Sequence, residues 1–398
     1  MATVNPIPGT ATAPARPASR LLVSLASMPQ DQLVRVLDKL AACLPVDDLF
    51  IATSDETVKS ARPDLHIVTA VDSKATWIVT AADYASALQL AKENDATAVL
   101  MLGPQCDSLS LQALRNLTAA ALSGDADLSV SRYDLPPRAG LVNSAILYPV
   151  SRALFASPVR FPLAVDVALS MRMAERLSNA AHRFIGINQA GAFLWPVSEA
   201  ANAGFTIREV EVGTRATPQP TEPDLNAILP LIAGSLFADV EAKAACWQRP
   251  RPMPPEHVRR VSAQMPSADG ATDVAPMLQA FRLAYSNLLE IWSLVLPPNS
   301  LLGLKRLSLA DGAAFRMPDS LWARIVYDFL LAYRLRTINR GHLLGALIPL
   351  YLAWVASHVN LTATDVNPEQ HVEAVAAAFA TEKPYLVARW RWPDRFNP

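Results

Sequence analysis

The sequence predicts an α/β fold: a Rossmann-like, mostly parallel sheet followed by a helical C-terminal region. Three observations carry this. Short apolar runs alternate with helical patterns through the first half of the chain, as in βαβ units. The segment Gln248 to Pro276 is rich in Pro, Ser and charge, has no periodic element, and reads as a linker. Beyond it, apolar residues recur at helical spacing. The expected organisation is a disordered tail over 1–19, an α/β domain over 20–247, a linker over 248–276 and a helical domain over 277–398.

The first twenty residues are rich in Ala, Pro and Thr, lack an apolar core, and do not read as a signal peptide. Leu21 to Ala26 is a nearly continuous apolar run, as expected for a strand buried on both faces. Gln30 to Ala42 places Leu33, Val34, Leu37 and Leu40 on one helical face. Leu49 to Ala52 and Leu65 to Val71 are further strands. Asp83 to Lys92 is a helix with Asp83 as its candidate N-cap. Ala96 to Leu102 is a strand, and Ser108 to Leu122 a helix capped by Asp107 or Ser108.

Leu128 to Tyr133 is strand-like, and Pro136-Pro137 then break the chain. A helix follows over Leu141 to Phe155. The extended segment Phe161 to Asp166 leads into another helix carrying Met171, Ala174 and Leu177. Asp166, at that junction, is either an N-cap or a carboxylate presented to a cleft. Asn188 to Ala203 reads as a helix ending at Gly204, Phe205 to Val212 as a strand, and Thr214 to Pro223 as a polar loop. Leu225 to Trp247 is a long helix. After the linker, helices are expected over Met277–Leu296, Ser320–Arg336, Leu343–Val359 and Pro368–Thr381.

Composition narrows the function. The 398 residues are 51% hydrophobic and 18% charged, with a formal net charge of −1, which gives no electrostatic reason to expect a nucleic-acid partner. Cys43, Cys106 and Cys246 are isolated, so neither a zinc site nor a disulfide framework is expected, and a reducing cytoplasm fits. The apolar run between His342 and His358 contains Pro349 and reads as a buried helix rather than a membrane span. The aromatics Trp322, Tyr327, Phe329, Tyr333, Tyr351 and Trp354 fall at helical spacings and read as core.

In mostly parallel sheets, ligands bind beyond the carboxyl ends of the strands. That directs attention to Thr53-Ser54-Asp55, to Gly103-Pro104-Gln105-Cys106-Asp107 and to Arg132-Tyr133. The central stretch also carries a resemblance. Arg132-Tyr133, the Pro/Gly-rich turn, Tyr148-Pro149-x-x-Arg152-Ala153-Leu154-Phe155, Arg160-Phe161-Pro162-x-x-x-Asp166 and Leu169-Ser170-x-x-x-Ala174-Glu175-Arg176-Leu177 are similar to bacterial GT-A-type glycosyltransferases related to mannosylglycerate synthase and glucosyl-3-phosphoglycerate synthase. The end of the chain, Glu382 to Trp390, resembles the same group.

The resemblance implies a GT-A fold, a nucleotide-sugar donor, a small hydroxylated acceptor, and Mg²⁺ or Mn²⁺ bridging the donor phosphates. The family's cation ligands are an Asp-x-Asp directly after the central strand and a histidine after a later strand. This chain departs from that pattern. Ala96 to Leu102 is followed by Gly103-Pro104-Gln105, with a single carboxylate, Asp107, further on. Asp125-Ala126-Asp127 precedes its strand, at the wrong end of the sheet, and reads as a solvated loop. Gly213-Thr214-Arg215 stands where the histidine is expected, Asn188 where an acid is expected, and Met28-Pro29-Gln30 where an Asn-Glu pair is expected. No metal ligand is therefore named.

The resemblance assigns Asp166 to the acidic position facing the acceptor, where it would orient or deprotonate a hydroxyl. Arg132 and Tyr133 are candidates for phosphate and sugar contact, or a strand end in solvent. Asp55 is a candidate for the base or ribose, or a loop carboxylate. Asp107 is a helix cap or a lone ligand. Arg215 is either an exposed loop arginine or a guanidinium that replaces the metal by pairing with a phosphate. Two functions follow: sugar transfer from a nucleotide sugar to a small acceptor, or a catalytically silent homologue acting as an interaction or regulatory partner, homo- or hetero-oligomeric. A membrane-surface role is a third reading, resting on the apolar C-terminal helix alone.

Overall fold

The computed structural model describes residues 20–70, 77–189, 191–216, 224–249, 273–363 and 366–393. The expected tail 1–19, most of the polar loop 214–223 and most of the linker 248–276 lie outside them. Among the described residues, seven strands form one sheet: β1 (Leu21–Leu25), β2 (Leu49–Thr53), β3 (His66–Thr69), β4 (Ala98–Leu102), β5 (Leu128–Asp134), β6 (Val167–Ser170) and β7 (Ile207–Thr214). Their order is β3-β2-β1-β4-β6-β5-β7. All pairings are parallel except those of β6, which runs antiparallel to both β4 and β5. The mostly parallel α/β sheet and the helical region after it are as the sequence predicts.

Apolar runs set the centre of the sheet. All five residues of β4 are buried, because helices cover both faces. Gln30–Ala41 and Leu111–Leu122 pack on one face, and Ala81–Glu93 and Met171–Ile185 on the other. The strand β6 is the element the sequence hid. Val-Ala-Leu-Ser is only four residues long and its first three residues are buried, so it shows no two-residue alternation. Its presence moves the helix start past Asp166: Ser170 is the N-cap and accepts from the Met173 amide at 3.2 Å. The N-cap reading of Asp166 is thereby corrected.

Other helix starts also shift. Thr80 caps Ala81–Glu93, and Asp83 closes a capping box by accepting from the Thr80 amide at 2.7 Å. Ser110, not Asp107 or Ser108, caps Leu111–Leu122. The helix expected from Asn188 begins only at Pro196, because Phe193 is drawn into a bridge with Thr80. Asp127 is not a solvated loop carboxylate. It is buried, accepts from the Thr206 amide at 2.9 Å and the Ser170 hydroxyl at 3.1 Å, and pairs with Arg172. It ties the starts of β5 and β7 to the end of β6.

The helical layer comprises Ala275–Asn287, Leu289–Ser293, Pro298–Ser308, Asp319–Leu335, Arg340–Thr362 and Pro368–Arg391. Its core also takes in Tyr148–Phe155, Leu225–Ala242 and Trp247, so the two halves of the chain share one apolar cluster. Leu225–Ala242, Arg340–Thr362 and Pro368–Arg391 each run through an internal proline, Pro230, Pro349 and Pro384. An internal proline costs a backbone hydrogen bond, and here packing on neighbouring helices outweighs it. The last helix therefore continues ten residues past Thr381, the end expected from the sequence. Leu225–Ala242 and Arg340–Thr362 are both long and apolar enough to cross a membrane; the second is largely buried within the protein and the first much less so.

Two buried histidines sit where the last helix meets its neighbours. His358 and His371 bring their Nδ1 atoms to 2.7 Å, and His371 Nε2 lies 3.1 Å from Asp319 Oδ1. Two neutral rings satisfy this: His371 donates to Asp319 and accepts from His358. Trp354 stacks on both rings. Burial, then the proximity of His371 and of Arg160, holds His358 down to about 4, against the opposing pull of Glu369. Its folded pKa lies below the ordinary 6.5, so the unfolded chain takes up the proton first. The stability this ring contributes is complete above pH 6.5 and is lost as pH falls toward 4. Urea unfolding from pH 7 to 4 should show the loss, and in His358→Phe the slope over that range should be shallower by about 1 kcal/mol per pH unit.

Candidate functional site

The carboxyl ends of β4 and β5 and the segments entering β6 and leaving β7 converge on one carboxylate. β4 ends at Leu102, and Gly103 follows. A Cβ at Gly103 would lie 2.6 Å from Val165 Cβ, so only glycine lets the chain before β6 come this close. The Gly103 amide donates to Asp166 Oδ1 at 3.0 Å. On the other side, the register between β5 and β7 slips after Arg132, with Gly213 in the left-handed region at φ 69°. Such a bulge re-aims the side chains around it. It leaves Tyr133 facing Asp166 and delivers Arg215 above the end of β4.

Asp166 is fully buried and Arg215 is 5% exposed. Arg215 Nε donates to Asp166 Oδ2 at 2.5 Å and Nη2 to Oδ1 at 3.0 Å, a bidentate pair. The Tyr133 hydroxyl donates to Oδ2 at 3.0 Å. Each carboxylate oxygen thus accepts two hydrogen bonds. The guanidinium also donates to Pro104 O at 2.9 Å and Ala216 O at 2.7 Å. Burial, then the Asp166 charge, pushes the Tyr133 phenol well above its ordinary value of 10, so it remains a donor. Burial works against the charge on Arg215, and Asp166 more than offsets it, raising the guanidinium's pKa.

These residues do not fit a divalent cation. Gly103, Pro104 and Gln105 bring no carboxylate to the end of β4. Asp107 turns away and pairs with Arg35 at 2.9 Å. Asp166 is committed to a guanidinium, whose positive charge would repel a metal ion beside it. Among the described residues, no three His, Cys, Asp or Glu side chains converge as ligands.

Of the residues the sequence singles out, the structure brings together Tyr133, Asp166 and Arg215 and leaves the others apart. Arg215 is not an exposed loop arginine. Asp55 holds a local turn, accepting from the Thr57 amide at 2.9 Å. Arg132 lies 3.6 Å from Glu211 at the sheet edge. Asn188 is an exposed turn residue at φ 61°. Asp107 accepts from Arg35 and is no helix cap.

Beside the ion pair lies a cavity of about 170 Å³ that the sequence reading did not foresee. Its floor is Ile78, Leu147 and Ile232, all buried, and its half-buried rim includes Trp77, Phe161 and Leu163. Tyr133, Arg215 and Asn143 supply its few polar atoms. Trp77 and Asn143 carried no motif. Only the fold brings them to Phe161 and Val165, which belong to the segment that carries the resemblance.

No family model matches the chain, and no curated protein does. Among solved structures it is similar to glucosyl-3-phosphoglycerate synthase from Mycobacterium tuberculosis in complex with phosphoglyceric acid, at 17% identity over 56% of this chain and 80% of that one, TM-score 0.37. The same enzyme with Mn²⁺, uridine diphosphate and glucosyl-3-phosphoglycerate matches at 17% identity over 58% and 86%, TM-score 0.36. A mycobacterial protein matches at 15% identity over 57% and 80%, TM-score 0.37.

Breaking a buried pair strands the remaining charge, which costs about 3–5 kcal/mol. Asp166→Asn and Arg215→Met are each expected to lose that much in urea unfolding. The double variant is expected to lose at least about 2 kcal/mol less than the sum of the two, which is the coupling between them.

Proposed function

We propose that this chain is a glycosyltransferase-like protein of the GT-A type that is silent as a cation-dependent transferase and serves as an interaction or regulatory partner. The resemblance of the central stretch supports the first part. The buried pair of Asp166 and Arg215 supports the silence, and the partner role is what a silent homologue would keep. A donor diphosphate needs positive charge at the carboxyl end of the central strand. The charge present there is internal, neutralised by Asp166 and directed at backbone carbonyls. The acidic group that would serve an acceptor hydroxyl has all its lone-pair positions filled.

One observation favours a second reading. Arg215 also lines the cavity, so a donor phosphate that displaced Asp166 would meet a guanidinium. Transfer would then be cation-independent, and the ion pair would have to open first.

Thermal stability against UDP-, GDP- and ADP-sugars, with and without Mg²⁺ or Mn²⁺, separates these readings, because a ligand of the folded state raises the melting temperature. The silent reading expects no shift in either condition. A shift that requires the cation would refute the closed site. A cation-independent shift that disappears in Arg215→Met would establish the second reading.

A further inference from the structure

We propose that the cavity beside Asp166 and Arg215 is a binding site for a small apolar group, a single aromatic ring or a short hydrocarbon chain. This rests on the reading that the donor site is closed, and it names what the same region takes instead. The argument begins with size. An interior cavity of about 150 Å³ lined by aliphatic and aromatic side chains has room for benzene and binds it. The cavity here measures about 170 Å³ and is lined mainly by such residues.

Chemistry points the same way. The polar groups at its edge each already make a hydrogen bond. Tyr133 donates to Asp166, Arg215 is bidentate with the same carboxylate, and Asn143 Nδ2 donates to Arg160 O at 2.9 Å. A phosphate or a sugar entering here would leave its hydration for apolar walls with almost no compensating hydrogen bonds. An apolar ring would leave water at a gain proportional to the area it buries. Access is also present. The floor of Ile78, Leu147 and Ile232 is buried, whereas Trp77, Phe161 and Leu163 are only half-buried, so among the described residues the cavity opens to solvent on an apolar rim.

The occupant would rest against Tyr133 and Arg215 and so against the ion pair itself. The bound group would brace the pair in its closed form. The same site would then shut further against nucleotide sugars when filled.

The test is the melting temperature of the full chain with toluene and with hexanol, with UDP-glucose and Mn²⁺ as the polar control. Leu163→Trp and Val142→Trp serve as two independent fillings of the cavity, each checked for native circular dichroism. Toluene or hexanol at ten times its Kd should raise the melting temperature by about 2 °C or more. Either filling variant that folds should abolish the shift. No shift with either apolar compound, or a shift of the same size in every filled variant, overturns the proposal. A shift with UDP-glucose and Mn²⁺ would refute the closed donor site and leave the apolar result to be judged separately.

Discussion

One buried ion pair organises the carboxyl end of this protein's sheet. A carboxylate with no exposure requires its charge and all its lone pairs to be met from within, and meeting them draws on four parts of the sheet. Gly103 after β4 gives an amide, Tyr133 at the end of β5 gives a hydroxyl, β6 begins at the residue after Asp166, and β7 ends just before Arg215. The missing Cβ at Gly103 and the slipped register at Gly213 both serve this one contact. Take away the guanidinium and the remaining arrangement is a set of donors around a stranded negative charge.

The same pair decides what chemistry the region can do. The positive charge at the end of β4 is Arg215, covalently part of the chain, and its partner is Asp166 from the same site. A protein built this way directs its electrostatics inward at this end of the sheet. Beside it, among the described residues, lies an apolar hollow.

The helical layer is not an appendage. Tyr148–Phe155, from the first half of the chain, packs against Pro368–Arg391. Tyr148 and Arg152 meet Glu373, and Arg160 meets Glu369 at 3.0 Å. The Trp322 indole donates to Ala145 O at 2.8 Å, where the helix before Tyr148 widens into a π turn. Loops and helices bordering the cavity are thereby anchored from both sides, and Ile232 of the helix Leu225–Ala242 forms part of its floor.

The sequence by itself determined the fold class, the strands from β1 to β5, β7 and most helices, because long apolar runs and helical stripes are local signals that survive in any tertiary context. It also singled out Tyr133, Asp166 and Arg215, and it exposed the lack of paired carboxylates after β4. It did not reveal β6, whose four residues carry no periodicity, and so it set Asp166 at a helix start. It leaves Arg215 open between an exposed loop residue and a partner for phosphate, and marks Asp127 as solvated, because a charge in a polar stretch gives no local sign of burial. Only the tertiary structure brought Asp166 and Arg215 together across 49 residues. It also gathered Trp77, Asn143 and Ile232 around one cavity. Pairing and cavity shape are properties of elements distant in the chain, and one sequence read alone holds no record of which distant residues will meet.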